Sequence, residues 1–289
     1  MKVLVTGSGG QLGRELLRTV PKAHELVALS SALLDITDAV QIERALSGHE
    51  PAVVINAAGY TAVDKAESEC ERAQAVNSEG PGLLARATVA RGIRLIHVST
   101  DFVFDGTKGS PYLPDDAPNP LGVYGESKLA GERAVMAVDS GVLVLRTAWV
   151  YSAHGHNFVN TMLRLMRERT SLGVVADQIG TPTWAKGLAQ ALWRAVDAPQ
   201  MQGIHHWTDA GVASWYDFAV AIQEEAEAWG LLDRAIPIRP IRTQDHPTPA
   251  RRPAYSVLDK TATWEALALT PPHWRVVLRE MLREPKESK

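Results

Sequence analysis

The segment Lys2-Val3-Leu4-Val5-Thr6-Gly7-Ser8-Gly9-Gly10-Gln11-Leu12-Gly13 decides how the chain is to be read. A short apolar run leads into a glycine-rich turn, and the turn opens an amphipathic stretch over residues 11–20. Apolar residues without alternation suit a strand covered on both faces, the condition of a parallel sheet. Similar runs at Leu26-Val27-Ala28-Leu29, Val53-Val54-Ile55, Leu95-Ile96-His97-Val98 and Val142-Leu143-Val144-Leu145 alternate with helical stretches. One of these stretches, 38–46, is expected to close on Gly48 as its C-terminal cap. The alternation predicts an α/β fold with a doubly wound parallel sheet.

The glycines recur as Gly7-x-x-Gly10-x-x-Gly13. Glycine permits a tight turn and close backbone approach to a pyrophosphate, which the free N–H groups and dipole of the following helix favour. The cofactor positions that follow are Gly7, Gly10, Gln11, Leu12 and Gly13. The second apolar run ends in Ser30-Ser31, where an acidic residue would hydrogen-bond the adenine ribose and repel a 2′-phosphate. Ser30 cannot repel it, and Ser31 and Arg14 stand near enough to help hold it. The expectation is therefore NADPH, with NADH left open. Asp35-Ile36 falls where such folds meet the adenine, although Asp35 equally suits capping the helix that starts near Asp38. Asn56-Ala57-Ala58-Gly59 ends the third run with small residues that let a cofactor pass close to the backbone.

Tyr124-Gly125-Glu126-Ser127-Lys128 places Tyr and Lys on one face of a helix. A phenol normally loses its proton near pH 10. A neighbouring ammonium, with an oxidised nicotinamide when present, is expected to lower that value and make Tyr124 a usable acid/base. Thr100, in Ser99-Thr100-Asp101-Phe102, ends the fourth run, where its hydroxyl could orient a substrate oxygen beside Tyr124 or merely satisfy local backbone groups. The expected chemistry is hydride transfer to a carbonyl carbon, with Tyr124 protonating the oxygen. The glycine turn resembles that of the short-chain and extended dehydrogenase/reductases, whose sugar-nucleotide dehydratases carry adjacent Asp-Glu after the threonine. Here Asp101 is followed by Phe102, so elimination is disfavoured.

Several segments together resemble the dTDP-4-dehydrorhamnose reductase family, within the extended short-chain reductases of Rossmann-like fold. They are the glycine turn, Thr61-Ala62-Val63-Asp64-Lys65-Ala66-Glu67, Ser99-Thr100-Asp101, Tyr124 to Glu132, Arg146-Thr147-Ala148-Trp149, Asp177-Gln178-Ile179-Gly180-Thr181-Pro182-Thr183, Trp215-Tyr216-Asp217 and Pro247-Thr248-Pro249-Ala250-Arg251-Arg252-Pro253. The resemblance implies reduction of the C4 ketone of dTDP-4-dehydro-L-rhamnose by NADPH or NADH. It puts Thr100, Tyr124 and Lys128 at catalytic positions, with Tyr124 and Lys128 also facing the cofactor. Gly10, Gln11, Leu12, Asp35, Ile36, Ala57, Ala58, Gly59, Tyr60 and Thr61 fall at or beside dinucleotide positions. Thr100, Asp101 and Trp149 match sugar-nucleotide contacts. Ser30 departs from members with Asp there, and Gly59-Tyr60 departs from the common Ala-His, so contacts at that turn would rely on backbone.

Two further candidates carry alternatives. Trp149 offers a flat apolar face to a deoxyhexose, or is a core tryptophan. Arg252, with Arg251, could neutralise a substrate diphosphate, or lie solvated in its proline-rich loop. His154-x-His156 and His205-His206 read as a loop pair and a strand-edge pair rather than as metal ligands. Some family members bind Mg²⁺ through acidic residues at a subunit interface, with Glu15 at a candidate position. The competing functions are another NDP-4-ketosugar reductase or an NDP-sugar epimerase of the same superfamily, and a non-catalytic nucleotide-binding subunit.

Residues 1–150 are expected to form the dinucleotide-binding domain, with a returning segment near 170–200. Residues 151–289 mainly form a smaller mixed substrate-binding lobe, with helices at 157–169, 184–196, 214–229 and 272–282, an irregular region from Pro237 to Pro272, and a frayed tail. The 30 basic and 33 acidic residues give a net charge of −3, which offers no case for nucleic acid or an anionic membrane as partner. The lone Cys70 excludes an internal disulfide and a cysteine-based zinc cluster. No apolar run approaches the ~18 residues of a membrane span, and the N-terminus reaches Thr6-Gly7 too soon for a signal peptide. A cytoplasmic protein acting on a small nucleotide sugar is expected, with a homodimer left open.

Overall fold

The computed structural model describes residues 1–284; the expectation for the tail beyond them lies outside the described residues. In the first half the strands are β1 (Lys2–Thr6), β2 (Glu25–Leu29), β3 (Val53–Asn56), β4 (Arg94–Thr100) and β5 (Leu143–Thr147). The helices are α1 (Gln11–Arg18), α2 (Ala39–His49), α3 (Val63–Ala66), α4 (Cys70–Gln74), α5 (Gly80–Val89) and α6 (Val123–Val138). The second half adds β6 (Val150–Tyr151), α7 (Phe158–Glu168), β7 (Leu172–Val175), β8 (Ile179–Gly180), β9 (Thr183–Trp184), α8 (Ala185–Val196) and β10 (Gly203–His206). It continues with β11 (Ala213–Ser214), α9 (Trp215–Ala228), β12 (Ile238–Ile241), α10 (Thr261–Leu267) and α11 (Trp274–Arg283).

Among the described residues, one six-stranded sheet runs in the order β10-β5-β4-β3-β1-β2, parallel throughout. Successive side chains point to opposite faces, and both faces are covered. Val3, Val5, Ile55 and Leu145 pack with Leu16 of α1 and with Leu188, Leu192 and Trp193 of α8. Leu4, Val54, Leu95 and Val144 pack with Ile42, Leu46 and Leu84 of α2 and α5 and with Val135 of α6. That double cover is why the runs show no alternation. A separate apolar core joins α7, α9 and α11 through Met162, Leu163, Phe218, Ile222, Val277 and Leu278. The strand order reverses between β1 and β3, so a crevice opens beyond their carboxyl ends, where doubly wound sheets bind ligands.

Local chemistry moves several boundaries. Gly48 lies inside α2; the left-handed cap is Glu50 (φ 47), whose N–H donates to Leu46 O. Asp38, not Asp35, caps that helix, its side chain accepting from Val40 N and Gln41 N. Helix α1 stops at Arg18, short of the expected span. The proline-rich region contains more regular structure than expected: β12 pairs in parallel with β7, and α10 follows it.

Candidate active site

The glycine turn is fixed by sterics. Gly7 has φ +67, and a Cβ there would sit 2.7 Å from Ala58 Cα. A Cβ on Gly13 would lie 2.5 Å from Gly7 O and from Ser8 Cα. These two glycines let β1, the turn and α1 close against the end of β3. Gly10 is different: it is the N-cap of α1 with no side-chain hydrogen bond, and its nearest neighbour would be 3.4 Å from a Cβ. The first-turn N–H groups of Gln11, Leu12 and Gly13 have no intrahelical acceptor. An uncapped helix start behind an open glycine turn fits a dinucleotide pyrophosphate. The side chain of Gln11 is engaged elsewhere, its Oε1 accepting from Asn157 Nδ2 at 2.9 Å.

Around this cradle, Ser30 is half-buried and lies beside Gly9, 3.8 Å from where a Cβ would be, while Arg14 is exposed and donates through Nε to Gly9 O at 3.3 Å. Asp35 is exposed, and its Oδ1 accepts from the Thr37 N–H and hydroxyl. Ile36 is buried against Gly80. Ala57 and Ala58 are half-buried, and Gly59 and Thr61 are exposed. The Tyr60 hydroxyl donates to Glu69 Oε2 at 3.0 Å, and Arg72 lies over its ring, leaving backbone as what this turn presents to a ligand.

Asn77 was not singled out by the sequence reading. It is 1% exposed in a π-helical segment, Ala75–Glu79, between α4 and α5. Its Oδ1 accepts from Tyr60 N at 2.8 Å, and its Nδ2 donates to Tyr60 O and to Ser127 Oγ, both at 3.0 Å. Ser127 in turn donates to Tyr124 O. One amide thus joins the small-residue turn to the helix carrying Tyr124. The available signal was an asparagine inside a helical stretch, in a π-bulge of the kind that clusters at functional sites.

Thr100 ends β4 and Tyr124 opens α6, and their side chains are neighbours; the Thr100 hydroxyl donates to Asp101 Oδ1 at 3.1 Å and accepts from Phe102 N at 3.2 Å. The 3-10 turn Asp101–Val103 brings Phe102 edge-on to the Tyr124 ring, 5.4 Å between centroids. Helix α6 can approach this turn because Gly125 has no Cβ; one would fall 2.2 Å from Phe102 O. Burial pushes the Tyr124 phenol up to about 12; the Thr100 hydroxyl opposes this and the Asp101 charge adds to it. That reverses the expected direction. The reason is burial, which outweighs the influence of the neighbouring hydroxyl; the buried Lys128 donates through Nζ to Val98 O at 2.7 Å. Burial brings Lys128 down to about 8, opposed by Glu132. Asp101, 1% exposed, is raised to about 6 by burial.

Two carboxylates anchor α6. Glu67, from the 61–67 segment, accepts from Val123 N at 3.0 Å. That satisfies a first-turn donor with a charge favourable at a helix N-terminus. Replacing Glu67 with Ala is expected to cost about 1 kcal/mol of stability, measurable by urea unfolding. Deeper in, Arg146 of β5 and Glu132 of α6 form a buried fork, Nε to Oε1 at 2.9 Å and Nη2 to Oε2 at 2.7 Å.

Arg252 forms a bidentate pair with Asp64, at 3.0 and 2.8 Å, joining the 247–253 loop to the 61–67 segment. Trp149 has φ +48 and lies against Trp215, with centroids 3.5 Å apart. Glu15 is buried and raised by that burial. Arg18 reaches both Glu15 and Glu284, and Lys186 also pairs with Glu284. Two carboxylates already matched by two cations do not fit a divalent ion. Among the described residues, no group of three or more His, Cys, Asp or Glu is placed to hold a metal.

Comparison with known proteins finds relatives over nearly the whole chain. The RmlD substrate binding domain family matches residues 1–286. The dTDP-4-dehydrorhamnose reductase of Aggregatibacter actinomycetemcomitans is 42% identical over 287 residues, 97% of this chain and 98% of that one. A crystal structure of the Clostridium acetobutylicum enzyme of the same name superposes with a TM-score of 0.91 at 38% identity, covering 98% of each chain. That of Bacillus anthracis, in complex with NADP, gives 0.92 at 32% identity and covers 98% of this chain and 99% of that one. With that family model spanning residues 1–286 and a reductase of that name 42% identical over nearly the whole of both chains, this chain belongs to the dTDP-4-dehydrorhamnose reductase family.

Proposed function

We propose that this protein reduces the C4 ketone of dTDP-4-dehydro-L-rhamnose to dTDP-L-rhamnose with NADPH. The observation that carries the reading is that Thr100 at the end of β4 neighbours Tyr124 at the start of α6, with Lys128 one helical turn beyond Tyr124 and anchored to Val98 O. Residues 1–150 with α8 and β10 serve as the dinucleotide-binding part, and most of 151–289 as the substrate lobe. A bound reduced nicotinamide supplies hydride to the carbonyl carbon. The Tyr124 phenol keeps its proton throughout the neutral range, which suits it to donate to the ketone oxygen as negative charge develops there. The Thr100 hydroxyl fixes that oxygen's position. Lys128 supplies positive charge next to the transfer, held in place by the Val98 carbonyl. Ser30 beside Gly9, with Arg14 exposed above, favours the 2′-phosphate of NADPH over NADH. Among the described residues no helix is long and apolar enough to cross a membrane. The proposed reactants, a nucleotide sugar and NADPH, point to the cytoplasm as the compartment of the reaction.

The test is NADPH consumption on adding dTDP-4-dehydro-L-rhamnose, with the sugar product analysed. One NADPH oxidised per dTDP-L-rhamnose formed supports the reading. A C3 or C5 epimer formed without net NADPH loss overturns it in favour of an epimerase. The pH profile adds a second expectation. Lys128 is charged below about 8 and neutral above it, whereas the phenol stays protonated until about 12. Reductive kcat/KM should therefore be flat near neutrality and fall as pH rises through about 8. A rate still rising above that point would remove Lys128 from the role given it.

A further inference from the structure

Trp149 leaves β5 in a left-handed conformation, φ +48, which a bulky side chain adopts only where its surroundings impose it. Its indole lies flat on that of Trp215, with centroids 3.5 Å apart and planes 4° apart. Face-to-face overlap is not what two aromatic quadrupoles prefer by themselves, so the pair is held from outside. Phe158 packs against Trp215 at 4.6 Å. Trp215 Nε1 donates to Gln178 Oε1 at 3.1 Å, and Gln178 is oriented in turn by its Nε2 bond to Thr243 Oγ1 at 3.0 Å. Gly180 passes so close that a Cβ would lie 2.5 Å from Trp149 Cε2. The 177–183 and 215–217 segments therefore converge on one tryptophan at the carboxyl end of β5, the strand whose Thr147 pairs with Thr100.

We propose that Trp215, fixed by Gln178, is a positioning residue that holds the Trp149 indole as a rigid apolar wall of the sugar subsite. The proposal rests on the nucleotide-sugar reading above. A fixed wall binds the sugar equally in ground and transition states, so its loss raises KM and leaves kcat alone. The stack is read independently by ¹⁹F NMR of protein labelled with 5-fluorotryptophan. The Trp149 resonance is the one lost in Trp149→Phe, and in the wild type it carries the ring-current shift of Trp215.

In Trp215→Ala the shift should collapse and KM for the nucleotide sugar should rise about tenfold with kcat within about threefold and NADPH affinity unchanged. Trp215→Phe, which restores a ring, should recover most of both. Gln178→Leu, a milder change that keeps the ring, should give an intermediate shift and KM, and it serves if Trp215→Ala does not fold. A collapsed shift with an unchanged KM overturns the proposal, because the pair would then be core packing alone. If the wild-type protein itself fails to oxidise NADPH with the sugar nucleotide, the substrate reading falls and the proposal with it. Wild type and variants are then equally silent, which distinguishes that failure from the first.

Discussion

Tyr124→Phe should lower kcat by about 10²- to 10⁴-fold, the range contributed by a positioned proton donor, while the melting temperature stays where it was. The substitution removes one oxygen, which neighbours the Thr100 hydroxyl. The ring keeps its edge contact with Phe102 and its place at the start of α6. Hydride delivered to the carbonyl without a proton donor would have to leave an alkoxide in a buried site, where charge is expensive. Single-turnover oxidation of NADPH with saturating sugar nucleotide is the measurement. Turnover within about threefold of wild type would take the phenol out of the reaction. Thr100→Val should give a smaller loss in the same assay, since it removes an orienting group and leaves the donor.

Glu132→Ala carries the largest expected effect on stability, a loss of about 3–5 kcal/mol in denaturant unfolding. Arg146 is 1% exposed, and without Glu132 its guanidinium retains Pro114 O at 3.3 Å, the His206 ring at 3.5 Å and the face of Phe104. None of these carries a compensating negative charge; burial pushes His206 down to about 3, so it is neutral. The double variant Glu132→Leu with Arg146→Met should recover most of the loss, because it removes both charges together. A single variant as stable as wild type would show that water reaches the guanidinium. Glu132 also holds the Lys128 ammonium up, so in Glu132→Ala the alkaline fall in kcat/KM should move below about 8. One residue thus ties the stability of the α6–β5 contact to the pH range of the reaction.

Much of this was legible in the chain. The βαβ rhythm, the glycine turn and the Tyr-Lys spacing are short-range patterns, and each obeys a local rule: cover on both faces, a left-handed or uncluttered backbone position, one helical turn. The elements that escaped or moved depend on competition between near-equal local options. Asp35 and Asp38 both suited an N-cap, and Asp38 won because its carboxylate reaches the Val40 and Gln41 N–H groups while Asp35 bonds Thr37. Gly48 suited a C-cap, but the helix continues two residues further to a left-handed Glu50.

The sequence by itself determined the parallel sheet and the glycine turn that follows its first strand, and it singled out Thr100, Tyr124 and Lys128 as candidate catalytic groups. Only the tertiary structure decided how those groups are poised. Lys128 meets a carbonyl of β4, Arg252 meets Asp64 across the chain, Asn77 joins a turn to a helix, and Trp149 meets Trp215. These contacts pair residues far apart in sequence and are set by burial and by which partner comes within reach, and no local pattern records either.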